Sequence, residues 1–107
     1  MNNLHFLIQK GSLARLTLLN CFLNKLTQIP KEIGNLKNLK ILNLSANKLT
    51  AIPTTIGKLE NLMVLELAGN QLQSFPSELC SLPKLTELDL SSNNISSLPV
   101  RHLKTTI

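Results

Sequence analysis

One spacing constrains this chain more than any other feature, because its apolar residues recur in a block that returns at a constant interval. The block reads L-x-x-L-x-L-x-x-N-x-L and occurs four times, starting at Leu16, Leu39, Leu62 and Leu85. Neither an α-helix, with a period of 3.6 residues, nor a single strand, with a period of 2, has this spacing. A fixed period of this length indicates a solenoid whose units stack on one another.

The repeat divides into a strand and a return segment. In the third copy, residues 63–67 alternate with a period of two, so they predict a short strand with Leu65 and Leu67 pointing inward. Stacked copies would form a parallel sheet, with strands roughly 4.8 Å apart. Parallel strands need a crossover connection. Residues 76–82, beginning with a proline, predict a short helical or 3₁₀ turn for it.

The asparagine of each block has a structural explanation. After each strand the chain turns between stacked repeats, where buried backbone groups need hydrogen-bond partners. An asparagine side chain offers two donors and an acceptor on a short stem. We therefore expect a structural ladder rather than catalytic amides at the four aligned positions, which are Asn24, Asn47, Asn70 and Asn93.

The repeated block, together with the stretch LTQIPKEIGNLKNLKILNLSANKLTAIPTTIGKLENL, resembles the leucine-rich repeat family over residues 13–99. The resemblance implies an α/β solenoid, a short curved horseshoe with a parallel sheet on its concave face and short crossovers on its convex face. The 23-residue unit L-x-x-[LIF]-P-x-x-[IL] is similar to the intracellular Ras-suppressor and Ras-scaffold group. That similarity implies a cytoplasmic protein-interaction scaffold in small-GTPase or adhesion signalling.

The resemblance places partner binding on the concave face, which the outward residues of the strands would form. The amino-terminal end of this face is apolar and its carboxyl-terminal end is acidic, which predicts apolar anchors beside polar discriminators. The candidate contact residues for a protein partner are Leu18, Phe22, Ile41, Asn43, Val64, Glu66, Glu87 and Asp89. The alternative is that the amino-terminal segment covers Leu18 and Phe22 as a cap.

The charge of the chain is unevenly divided. Residues 1–58 carry eight basic residues and one acidic residue, a net +7, whereas residues 59–107 carry three basic and five acidic residues, a net −2. Basic excess raises the question of a nucleic-acid or anionic-membrane partner. The chain has three Phe and neither Tyr nor Trp to stack on bases, so the sequence disfavours nucleic acid. Lysines solvated on convex and flanking surfaces are the simpler interpretation.

Catalysis is disfavoured by the residues present. The two histidines, His5 and His102, lie in the two irregular ends, and Cys21 occupies a core position that suppresses a thiolate. An open sheet offers little of the desolvated cleft that a catalytic carboxyl group needs. Since the sequence contains no glycine-rich phosphate loop and no Cys/His set with metal-ligand spacing, we expect no enzyme activity, cofactor or metal site.

No run approaches the roughly 20 apolar residues of a membrane-spanning helix. The cluster at residues 4–8 is too short for a secretory signal core and has no basic residue before it, so we expect an intracellular protein. Cys21 and Cys80 occupy different slots of different repeats, which places them too far apart for a disulfide.

The ends are the least regular part of the predicted single domain. Residues 1–12 resemble a degenerate half repeat or cap, residues 13–99 form about four repeats, and residues 100–107 are irregular, with no strand expected after Pro99. Terminal repeats need a polar outer face to close the stacked core. The chain is therefore expected to be a monomer or to self-associate weakly. The alternative is a fragment or assembly piece of a longer array that associates through open repeat edges.

Overall fold

The computed structural model describes residues 13–96 and the backbone of 104–106. Its strands form one parallel sheet in chain order, with each strand hydrogen-bonded to the next. They are β1 (Leu18–Asn20), β2 (Ile41–Asn43), β3 (Val64–Glu66), β4 (Glu87–Asp89) and β5 (Lys104–Thr106). The predicted solenoid of short parallel strands is thus confirmed.

The repeat length sets the register of the sheet. Leu42 pairs with Leu65, which pairs with Leu88, so residues one repeat apart lie side by side. These three leucines are buried, whereas the residues that flank them in each strand are at least partly exposed. Because side chains alternate along a strand, a constant repeat length places every inward leucine in the core and every outward residue in a row.

Short 3₁₀ helices complete the return half of three repeats. They are η1 (Lys31–Asn35), η2 (Thr54–Lys58) and η3 (Ser77–Ser81), and a proline precedes each one. The 3₁₀ bonding pattern is regular: in η1, Ile33 N–H donates to the Pro30 carbonyl at 3.0 Å. Because the proline ring restricts φ and leaves no N–H to satisfy, proline suits the start of these turns. The described residues contain no α-helix.

The core lies between the sheet and these 3₁₀ helices. It is built mainly from the leucines and isoleucines of the repeat, and Leu42, Ile56 and Leu65 are fully buried. Cys21 is also buried in the slot that leucine fills in the later repeats. Neither Cys21 nor Cys80 forms a disulfide, as the sequence predicts.

The asparagine side chains bind the turns of neighbouring repeats. The Asn47 Oδ1 atom accepts from the Leu26 N–H at 2.8 Å, while its Nδ2 donates to the carbonyls of Cys21 at 3.0 Å and Leu44 at 2.9 Å. Asn70 repeats the pattern, since its Oδ1 accepts from the Leu49 N–H and its Nδ2 donates back to the Leu44 carbonyl. Each of these asparagines therefore satisfies backbone groups in its own repeat and in the preceding one.

The ladder has a direction, so its members are not equivalent. Asn47 and Asn70 are buried and Asn93 is half-buried, but Asn24 is exposed. Within the described residues, the Asn24 side chain makes one hydrogen bond, from Nδ2 to the Phe22 carbonyl at 3.3 Å. Bonds between repeats therefore involve three of the four expected asparagines within the described residues, because each runs to the preceding repeat and Asn24 lies in the first repeat described.

The expectation that no strand follows Pro99 is wrong, because β5 pairs in parallel with β4. Val64 pairs with Glu87 one full repeat later, but Glu87 pairs with Lys104 after a shorter interval. The last connection is shorter than those of the other repeats, so an alignment at constant period misses it. Predictions about a cap in residues 1–12, and about the rest of residues 97–107, lie outside the described residues.

Replacing Asn47 with alanine should lower the free energy of unfolding by about 3 kcal/mol. The substitution leaves the buried Leu26 N–H and Cys21 carbonyl without their partner, and each unsatisfied group costs about 1–3 kcal/mol. Asn24→Ala is the matched control, with an expected loss below about 1 kcal/mol because its single side-chain bond is exposed. Equal losses in urea unfolding would contradict the proposed bonding.

Candidate functional site

The strands place four candidate contact residues in one continuous row across the sheet. Leu18 pairs with Ile41, Ile41 with Val64, and Val64 with Glu87. Leu18, Ile41 and Glu87 are exposed and Val64 is half-buried, so the row faces solvent. The row changes from apolar to acidic between β3 and β4.

A second outward row contains polar side chains that also stabilise the turns after the strands. The Asn43 Oδ1 atom accepts from the Ser45 N–H at 3.0 Å, and the Asp89 Oδ1 atom accepts from the Ser91 N–H at 3.0 Å and from its hydroxyl at 2.7 Å. Glu66, which lies between them in this row, makes no such bond in the described residues. Asn43 and Asp89 therefore have a structural role in addition to any contact with a partner.

The exposed apolar side chains are concentrated at the amino-terminal end of the described sheet. Leu18 is 52% exposed, Phe22 53% and Leu23 67%, and the neighbouring Ile41 is 37% exposed. Apart from Met63, no other large hydrophobic side chain in residues 13–96 is exposed. We call Leu18, Phe22, Leu23 and Ile41 the apolar corner.

A left-handed backbone conformation recurs at one position of every turn, and sequence reasoning did not predict it. The φ angles are +61° at Leu23, +58° at Ala46, +70° at Gly69 and +57° at Ser92. This conformation lets the Leu23 N–H donate to the Ser45 carbonyl at 3.1 Å. Glycine favours this region, whereas leucine pays a steric cost to adopt it. In the sequence, glycine occupies this turn position only in the third repeat, at Gly69. One glycine among four copies was too little to predict the left-handed conformation.

The concave face carries no group activated for chemistry among the described residues. Burial raises the pKa of the Cys21 thiol, so the thiol stays protonated and its sulfur is a poor nucleophile. Glu66, Glu87 and Asp89 lie on an open sheet, and no set of three or more His, Cys, Asp or Glu residues in the described part could hold a metal ion. The outward residues therefore form an open surface of apolar and acidic side chains.

A second ladder, also missed from the sequence, runs along the edge where the crossovers lead into the strands. The Asn38 Nδ2 atom donates to the Ala14 carbonyl at 3.2 Å, and the Asn61 Nδ2 atom donates to the Lys37 carbonyl at 2.8 Å. Asn38 and Asn61 occupy the same position of successive repeats, so the repeat alignment contained the signal. The position was overlooked because Arg15 and Lys84 occupy it in the other copies.

Comparison with known proteins identifies the same repeat. A family model described as leucine rich repeat matches residues 37–95. No curated protein sequence matches the chain. In the described part of the chain, no helix has the length and apolar character needed to cross a membrane.

Several solved structures are similar to this one. A leucine-rich repeat protein from Leptospira interrogans has a TM-score of 0.78 and 47% identity over 83% of this chain, which covers 23% of that protein. An internalin from Listeria monocytogenes has a TM-score of 0.75 and 30% identity over 90% of this chain, covering 30% of the internalin. A plant peptide hormone receptor, RGFR1 in complex with RGF2, has a TM-score of 0.67 and 34% identity over 82% of this chain, covering 15% of the receptor.

Opposite substitutions at one turn position should have opposite effects on stability. Gly69→Ala should lower the free energy of unfolding by about 1 kcal/mol, because a side chain at φ +70° is strained. Ala46→Gly, one repeat earlier, should raise it by about 0.5 kcal/mol by relieving the same strain. Urea unfolding of both variants measures this, and a loss of stability in both would show that the turn conformation is not the cause.

Proposed function

The chain belongs to the leucine-rich repeat family, and we propose that it is a non-catalytic module that binds a protein partner on its concave face. Proteins of this family generally mediate protein–protein interaction. The observation that supports this site is the apolar corner, where four exposed apolar side chains cluster on one end of the sheet. A contiguous apolar patch on a soluble protein usually marks a contact surface.

The turn after β1 displays a leucine in the apolar corner. Leu23 is held at φ +61° with 67% of its surface exposed, so this leucine bears a steric cost while burying little of its side chain. The same conformation recurs at Ala46, Gly69 and Ser92, so it belongs to the turn of the repeat, and the exposed leucine is what distinguishes this copy. Phe22 adds an exposed aromatic side chain, a type enriched in the buried cores of protein interfaces. The corner therefore presents an exposed leucine beside an exposed phenylalanine.

The acidic end of the face adds a requirement for the partner. Glu66, Glu87 and Asp89 lie on β3 and β4, across the sheet from the apolar corner. Strands stand roughly 4.8 Å apart, so β1 and β4 are about 15 Å apart, a distance that about four or five extended residues span. A matching partner segment would present an apolar side chain and, about four residues away, a lysine or arginine.

The finer role that we propose is a scaffold in intracellular signalling of the small-GTPase type. Its support is the resemblance of the 23-residue repeat unit to the Ras-suppressor and Ras-scaffold group, and a cytoplasmic location follows from the same resemblance. A similar repeat structure, the plant receptor, was solved in complex with RGF2, which is consistent with ligand binding by this architecture. Each solved protein named above is several times longer than this chain.

Self-association through repeat edges is the competing proposal for the same molecule. It would place the contact at the ends of the solenoid instead of on the concave face. Light scattering over a concentration series separates the two proposals. A constant monomer mass favours the face, and a mass that grows with concentration favours the edges.

Phe22→Ala combined with Val64→Ala should abolish partner capture by the immobilised chain. Truncating two anchors at about 1–2 kcal/mol each weakens binding by at least about 30-fold. Met63→Ala is the matched control, because Met63 is an exposed apolar residue, at 43%, that lies just before the outward row of β3. Mass spectrometry quantifies the captured proteins, and circular dichroism checks that each variant is folded. Undiminished capture by the double variant would refute the concave site.

A further inference from the structure

Basic residues lie along one edge of the solenoid, where the crossovers lead back into the strands. We call this edge the basic rim. Among residues 13–96, five exposed cations lie on it, in the loops and turn ends that precede the strands: Arg15, Lys37, Lys40, Lys58 and Lys84. The concave face does not include them, because its residues lie within the strands and after them.

Hydrogen bonds join these loops into one continuous surface. The Lys84 Nζ atom donates to the Asn61 Oδ1 atom at 2.8 Å, and the Asn61 Nδ2 atom donates in turn to the Lys37 carbonyl at 2.8 Å. The Lys37 Nζ atom donates to the Lys58 carbonyl at 3.4 Å. These bonds therefore link the segments that carry three of the five cations, which are Lys37, Lys58 and Lys84, across successive repeats.

The remaining two cations are placed by the same edge of the structure. Arg15 follows Ala14, whose carbonyl accepts from the Asn38 side chain. The Lys40 carbonyl accepts from the N–H groups of Met63 and Val64 at 2.8 and 3.1 Å. The rim thus spans all the repeats described between residues 13 and 96.

Charge on the rim is poorly compensated. Among residues 13–96, Glu60 is the acidic residue in these loops, so five cations and one carboxylate leave a net +4 there. The ammonium groups of Lys37 and Lys84 donate to neutral oxygen atoms, a carbonyl and an amide, instead of to carboxylates. Like charges held close together repel, and an anionic partner would relieve that repulsion.

We propose that the basic rim docks on an anionic phospholipid surface. The cations lie along one edge, since they occupy the segments that precede β1 to β4, from Arg15 to Lys84. Cations along one edge can contact the flat surface of a phospholipid bilayer at the same time. Each Lys or Arg near an anionic leaflet contributes a similar favourable increment to membrane binding.

The composition of the rim favours a membrane over a nucleic acid. Within the described residues, the loops of the rim contain no aromatic side chain, whereas single-stranded nucleic acid is usually bound on aromatic side chains that stack with its bases. The rim instead includes Met63, an apolar side chain that is 43% exposed and suits the headgroup boundary. Docking through this edge would leave the concave face open to a protein partner.

The test uses the full chain and vesicles of phosphatidylcholine, with and without about one third phosphatidylserine. The triple variant Lys37→Gln, Lys40→Gln, Lys58→Gln should bind the anionic vesicles on the order of 100-fold more weakly than the unmodified chain. Raising the salt concentration to about 0.5 M should also release the unmodified chain, because the contact is electrostatic. Co-sedimentation measures the bound fraction, and thermal melts check the fold.

The matched control removes the same number of charges elsewhere. Lys25→Gln, Lys31→Gln, Lys48→Gln changes exposed lysines that lie after the strands or at the start of η1, away from the rim. This control variant should bind the anionic vesicles less than about tenfold more weakly than the unmodified chain. Equal losses in both triple variants would show that only net charge matters and would overturn the proposal. Tighter binding to an oligonucleotide than to the vesicles at the same salt, or equal binding to neutral vesicles, would also overturn it.

Discussion

The asparagine hydrogen bonds between repeats are the interaction on which the rest of the structure depends. Every turn that follows a strand buries backbone groups between stacked units, and such groups are costly when unpaired. The carbonyls of Leu44 and Leu67 each accept from two successive asparagines, so each bond fixes one repeat against the next. These bonds hold the register that the repeat length sets, and with it the alignment of the outward rows.

The same constraint separates the molecule into surfaces with different chemistry. Leucine occupies the inward position of β1 to β4, and Asn47, Asn70 and Asn93 bond to the backbone of the preceding repeat. The repeats therefore differ mainly in the outward rows and in the loops before the strands. The outward rows carry the apolar corner and the acidic end. The loops carry the basic rim, held by its own side-chain bonds. Protein binding on the concave face and membrane docking on the basic rim would therefore use different surfaces of the same stack of repeats.

Sequence reasoning recovered what the period encodes. The strands, the proline-led crossovers, the buried leucines and the bonding of Asn47, Asn70 and Asn93 all recur once per repeat, so each copy supported the others. It failed where the copies differ: β5 follows β4 after a shorter interval, and the left-handed turn is marked by glycine only at Gly69. The contact residues of the concave face vary between copies by their nature, so periodicity cannot identify them, and they stay predictions.

Residue-resolved amide hydrogen exchange is the most direct test of the central claim that asparagine side chains hold the stack together. The N–H groups of Leu26, Leu49 and Leu72 lie outside the strands, and each donates to an asparagine Oδ1 atom one repeat later. If these bonds hold the stack, the three amides exchange as slowly as those inside the sheet. Exchange at the rate of open turns, with a protected sheet, would contradict the account.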